Sequence, residues 1–195
     1  MSPLPFYLAH GAGVGHHSDF LQLLSASLSK EIARVSPVTF AYMQEQERIG
    51  KKRPPPRFDK LVPEFSEAIK NEQHCIVAGK SMGGRVATQL SHLSMVKGII
   101  CFGFPFYPSG KPEKHRLSFL DNLETPCLIF QGTRDALGSQ EWVTHQNLPK
   151  QVQVVWIEGA DHDFKVLKKL NRSLDDTVSL ISSQITIWLA KNHFE

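Results

Sequence analysis

Gly79-Lys80-Ser81-Met82-Gly83 is a G-x-S-x-G pentapeptide set between two patterned segments. Before it runs Cys75-Ile76-Val77-Ala78, an apolar stretch that reads as a buried strand. After it, Arg85-Val86-Ala87-Thr88-Gln89-Leu90 reads as a helix. A serine at a sharp strand-to-helix turn is a nucleophile elbow. The residues two before and two after the serine nearly touch, which only glycine permits. Strained backbone at Ser81 pushes its hydroxyl clear of the sheet. The N–H groups of the following helix favour negative charge developing beside it. The competing reading is a glycine-rich turn with an incidental serine.

A serine nucleophile needs a base, and the base an orienting group. In elbow-type sites the order along the chain is Ser, then Asp or Glu, then His. Cys127-Leu128-Ile129-Phe130-Gln131 reads as a strand, and Asp135 falls on the loop after it. Val152 to Ile157 reads as the next strand, and His162 falls on its following loop. Loops at the carboxyl ends of parallel strands share one edge, so Ser81, Asp135 and His162 are expected to converge. Alone, Asp135 would read as a helix N-cap before Ser139-Gln140-Glu141-Trp142. Asp161 and Asp163 compete as orienting groups but flank His162 too closely to reach its ring. An oxyanion needs two backbone donors. One is expected from Met82, the other from Ala12 in the loop His10-Gly11-Ala12-Gly13-Val14-Gly15, with Gly13 the alternative. A phosphate-cradling role for that loop fits less well, because Gly11-x-Gly13-x-Gly15 lacks the required spacing.

These segments resemble the small α/β-hydrolases close to dienelactone hydrolase, in particular the testis-expressed hydrolase-like group and its bacterial relatives. The resemblance rests on His10-Gly11-Ala12-Gly13, Gly79 to Arg85, Gln131-Gly132-Thr133-Arg134-Asp135 and Gly159-Ala160-Asp161-His162-Asp163-Phe164, and extends to the basic Arg53-Pro54-Pro55-Pro56. It implies a serine-hydrolase triad of Ser81, Asp135 and His162. Dienelactone hydrolase carries cysteine at the position of Ser81, which makes dienelactone a poor substrate candidate.

The elements that must position these residues follow from patterning. The 195 residues suit one domain, residues 1–195. Strand and helix patterns alternate throughout, which argues for six parallel strands flanked by helices, an α/β architecture. Helices are expected over Asp19–Arg34, with Phe20, Leu21, Leu24, Leu28 and Ile32 on one stripe, and over Phe58–Asn71. Others follow the elbow to Leu93 and cover Leu174–Lys191. Further strands are expected at Leu4–Ala9, Val38–Met43 and Val96–Phe102. Only Phe104 to Thr125 separates the strands where larger relatives insert a cap, so an open, capless, shallow site is expected. The polar, proline-rich stretch from Gln44 to Pro56 reads as a mobile loop at the catalytic edge, with Lys51 to Pro56 as the site's partial cover.

Net charge is +3, from 22 basic and 19 acidic residues, too weak a bias for nucleic-acid binding. Lys51-Lys52-Arg53 reads as a solvated loop, as a wall attracting anionic substrate groups, or as a proline-rich ligand. Cys75, Cys101 and Cys127 each sit in an apolar run, which argues for buried thiols in a reducing compartment. No leader is apparent and no segment approaches ~20 apolar residues, so a cytoplasmic protein free of membrane contact is expected.

The expected chemistry is acyl transfer from a small-molecule carboxylic ester to water, with thioester or small amide behind it, and it needs no metal or organic cofactor. Lys80 and Arg134 flank the site and are either anion-recognising or solvent-facing. Two rivals remain: an inactive scaffold that binds a protein or ligand, and a metal hydrolase built on His10, His16, His17 and His162. The second lacks any recognised ligand spacing.

Overall fold

The computed structural model describes residues 4–31 and 34–194. Its centre is one six-stranded sheet in the order β2-β1-β3-β4-β5-β6, every neighbouring pair parallel. The strands are β1 (Phe6–Ala9), β2 (Val35–Val38), β3 (Cys75–Lys80), β4 (Val96–Phe102), β5 (Cys127–Gly132) and β6 (Val152–Ile157). The helices are α1 (Asp19–Glu31), α2 (Ala41–Ile49), α3 (Phe58–Ile69), α4 (Met82–Thr88), α5 (Gln140–Thr144) and α6 (Leu174–Lys191).

The central strands are apolar over most of their length because both faces are covered. Alternate residues feed two cores. On one face Cys75, Val77, Ile99, Cys101, Cys127 and Ile129 pack with Leu61 and Phe65 of α3 and Val86 of α4. On the other, Ile76, Ala78, Ile100, Phe102, Leu128 and Phe130 pack with Leu24 and Leu28 of α1 and Ile181 and Ile185 of α6. Each fully buried side chain of this kind contributes about 1.5–3 kcal/mol. The three cysteines are buried free thiols. No helix among the described residues is long and apolar enough to cross a membrane.

The order places β1 between β2 and β3, so successive connections leave β1 in opposite directions. The crevice at the carboxyl ends of β1 and β3 is therefore the topological switch point, where open α/β sheets bind ligands. His10 and Gly11 follow β1 into it and Ser81 follows β3.

Three expectations change. The second strand is Val35–Val38 rather than Val38–Met43; Pro37 is tolerated inside it because β2 is an edge strand. Residues 41–49, expected as strand end and loop, form α2. The elbow helix ends at Thr88 rather than Leu93, tightening into short turns in which Leu90 N–H donates to the Ala87 carbonyl. α1 ends at Glu31, and the expected stripe residue Ile32 lies outside the described residues.

Between β4 and β5 there are only two single-turn 3-10 helices, Pro112–Lys114 and Leu117–Phe119. Phe104, Phe106, Leu120 and Leu123 from this segment are buried in the core, so it packs down on the sheet. Among the described residues there is no cap domain.

Candidate active site

Ser81 sits at φ 51°, ψ −111°, a conformation L-residues rarely adopt. The elbow glycines make it possible. A Cβ on Gly79 would lie 2.2 Å from the backbone carbon of Gly83, and one on Gly83 would lie 2.6 Å from the His10 carbonyl oxygen. No side chain fits at either place.

Around Ser81 the three expected residues come together. The His162 ring lies with Nε2 3.0 Å from Ser81 Oγ and Nδ1 2.7 Å from Asp135 Oδ2. A carboxylate only accepts, so Nδ1 carries the proton and Nε2 is free to accept from the serine hydroxyl. Asp135 is fully buried and accepts two further hydrogen bonds, from Leu137 N–H at 2.8 Å and from Gln131 Nε2 at 2.8 Å. It does not cap α5; Ser139 does, its Oγ accepting from Trp142 N–H. Asp161 is not the orienting group either. Its Oδ1 accepts the N–H groups of Asp163 and Lys165 and shapes the His162 loop. That loop is tied to the Asp135 loop by Thr133 Oγ1, which accepts Gly159 N–H, and by Arg134, which donates to the Gly159 carbonyl.

Gln131 is a participant that pattern reading passed over, although it stands in the motif ending at Asp135. Its amide donates to Asp135 while its Oε1 is buried with no partner among the described residues. Leaving an acceptor bare costs about 1–3 kcal/mol. Flipping the amide would aim that oxygen at the carboxylate, so the orientation that fixes Asp135 wins.

The loop after β1 is held from behind. His10 is buried; its Nε2 accepts Phe40 N–H, so its Nδ1–H donates to the Gly11 carbonyl at 2.7 Å. Burial lowers its pKa and keeps the ring neutral. Tyr42 of α2 donates its hydroxyl to the Gly11 and Ala12 carbonyls at 3.3 and 3.1 Å, and burial raises its pKa to about 12, keeping it a donor. In a trans peptide C=O and N–H point opposite ways. With those carbonyls held, the N–H groups of Ala12 and Gly13 face away from His10 and Tyr42. Ala12 N–H makes no hydrogen bond among the described residues. Met82 N–H, first in α4, has no intrahelical acceptor. Gly11 is close enough that a Cβ on it would lie 3.8 Å from Ser81 Cβ. Nothing in the sequence pattern marked Tyr42, because its segment reads as strand.

Beside Ser81 and His162 opens a cleft of about 410 Å³. Its walls come from residues 11–14, the start of α1, Lys80, Asp163, Lys165 and Leu174. No residue of 44–56 lines it, so the expected proline-rich cover lies elsewhere; Lys51, Lys52 and Arg53 are exposed. Among the described residues no three His, Cys, Asp or Glu side chains converge as metal ligands.

The family model for the alpha/beta hydrolase domain matches residues 4–190. The chain belongs to the α/β-hydrolase family. Solved structures share this α/β-hydrolase fold. An alpha-beta serine hydrolase homologue from Coxiella burnetii superposes with a TM-score of 0.65 at 18% identity, over 93% of this chain and 84% of that one. An esterase from Pyrococcus furiosus gives 0.68 at 17%, over 97% and 81%. Est1E from Butyrivibrio proteoclasticus gives 0.67 at 13%, over 100% and 90%. At these identities the likeness is one of fold.

Proposed function

We propose that this α/β-hydrolase is a serine hydrolase that cleaves a carboxylic ester through an acyl-enzyme. The observation that carries the reading is the unbroken hydrogen-bonded line from Ser81 through His162 to buried Asp135. His162 Nε2 takes the hydroxyl proton as Ser81 Oγ bonds to the carbonyl carbon. Asp135 keeps the ring in the required tautomer and stabilises the imidazolium. The N–H groups of Met82 and Ala12 hold the oxyanion, each contributing about 3 kcal/mol to the transition state. His162 then gives its proton to the departing alkoxide, the alcohol leaves, and His162 activates a water that releases the acid and restores Ser81. Every step uses groups of this chain and water. Thioesters and small amides follow the same route. The resemblance to the dienelactone-hydrolase-like group supports the reading, and Ser81, where dienelactone hydrolase itself has cysteine, argues against dienelactone as the substrate.

A fluorophosphonate probe tests it. The folded wild type is expected to be labelled and to hydrolyse p-nitrophenyl acetate, and Ser81→Ala to lose both. Labelling of the alanine variant, or an unlabelled folded wild type, overturns the reading.

A further inference from the structure

We propose that the cleft beside Ser81 takes an acyl group ending in a carboxylate, held by the Lys80 amine. The proposal rests on Ser81 as nucleophile and adds the class of substrate to it.

Lys80 ends β3 and immediately precedes Ser81. Its side chain is 10% exposed, yet it lines the cleft. The stem runs along Gly11, whose missing Cβ would stand 3.7 Å from Lys80 Cγ. An ammonium offers three donors. Among the described residues Nζ makes no hydrogen bond, and Asp163 Oδ1, at 3.9 Å, is beyond hydrogen-bond range. The Phe164 ring lies under Nζ, 5.9 Å to its centroid, but a ring leaves the ammonium's donors unmet, and a cation this far out of water is costly unless something in the cleft accepts from it.

The surrounding charges leave that place open. Asp161 is taken by two backbone N–H groups, and Asp135 by His162, Gln131 and Leu137. Asp163 is 68% exposed, so solvent screens its pull on Lys80. The remaining charged or titratable groups on the cleft beside His162, namely Asp19, His17 and Lys165, are all exposed. The N terminus of the 13-residue α1 opens on the same cleft through Ser18 to Leu21 and adds a partial positive charge. Burial lowers the Lys80 pKa to about 8, opposed by Asp163, Asp135 and Asp161, so the amine still carries its charge at neutral pH. The apolar part of the cleft lining comes from Val14, Phe20, Leu21 and Leu174. Methylenes suit those walls and a carboxylate suits the amine. The substrate class is therefore the monoester or monothioester of a short aliphatic dicarboxylic acid.

The test compares p-nitrophenyl monoesters of succinate, glutarate and adipate with the same esters methyl-capped at the free acid. At neutral pH the wild type is expected to prefer at least one free acid by about tenfold to a hundredfold in kcat/KM. Lys80→Met is expected to abolish that ratio, and Lys80→Arg to retain part of it. In the wild type the ratio is expected to fall as pH rises through about 8, where the amine loses its proton. A wild type without preference, or a Lys80→Met variant that keeps it, overturns the proposal. Calorimetry of monomethyl glutarate with Ser81→Ala separates the two ideas. Binding that Lys80→Met removes, alongside a wild type that turns over no ester, sinks the Ser81 reading and leaves this one standing. Turnover of capped esters by an enzyme that shows neither free-acid preference nor Lys80-dependent binding does the reverse.

Discussion

Asp135 accepts from three donors, and each does a different job. Leu137 N–H fixes the carboxylate on its loop, Gln131 sets its plane, and His162 receives its electrostatic effect. Asp135→Asn places an amide where the ring must donate, so kcat is expected to fall by about four orders of magnitude with KM little moved. Gln131→Leu keeps the carboxylate but frees its plane. A loss of about ten- to a hundredfold in kcat is expected from misalignment alone. Steady-state kinetics on one activated ester checks both; a Gln131→Leu variant with unchanged kcat would show that the amide only fills space. Lys80 gives a stability prediction with a definite sign. Burial lowers its pKa from the ordinary 10.5 to about 8, so between those values the unfolded state binds more protons. Stability is then expected to rise with pH through that window on account of Lys80. The stability difference between Lys80→Met and wild type, read by urea denaturation across that range, should shift in favour of wild type as pH rises.

At the scale of elements, the turns are where sequence and geometry meet most directly. Gly79→Ala forces a Cβ to 2.2 Å from backbone, and Gly132→Ala to 2.4 Å from the Ala160 carbonyl oxygen. Both are expected to cost more than about 3 kcal/mol. Gly13→Ala meets nothing within 4 Å and is expected to cost less than about 1 kcal/mol. Thermal denaturation of the three variants checks the ranking. These turns were legible because glycine spacing, a strand before and a helix after are all local signals. So were the strands that lead to Asp135 and His162, β5 as an apolar run buried on both faces and β6 as an apolar-rich, half-buried edge strand. Residues 39–43 were not legible in the same way. Thr39-Phe40-Ala41-Tyr42-Met43 carries strand-favouring side chains, yet α2 starts at Ala41. Burial of Phe40 and Met43 and the reach of Tyr42 to the loop carbonyls decide the matter, and those are tertiary contacts. Lys80 was ambiguous for the same reason: a lysine at the end of a strand reads as solvent-facing until the loops closing over it are known.

At the scale of the whole molecule, the sheet order puts the reacting groups at one switch point, and the capless β4–β5 connection leaves that point open on one side. Phe104, Phe106, Leu120 and Leu123 are spent on the core beneath, so nothing from this segment rises to enclose a long acyl chain. An enclosed pocket gains about 1–3 kcal/mol per methylene it buries. Here the cleft of about 410 Å³ is partly open to solvent, so the far end of a long chain is expected to stay in water. Across p-nitrophenyl esters from acetate to decanoate, kcat/KM is expected to climb over the first few carbons and then to level or fall. The gain beyond the plateau should stay under about tenfold, less than two buried methylenes would give. A rate that keeps rising steeply to decanoate would mean that some part of the chain folds over the acyl group. Residues 51–55, exposed and clear of the cleft walls, would then be the first segment to delete, because any such cover has to come from outside the walls that the cleft already has.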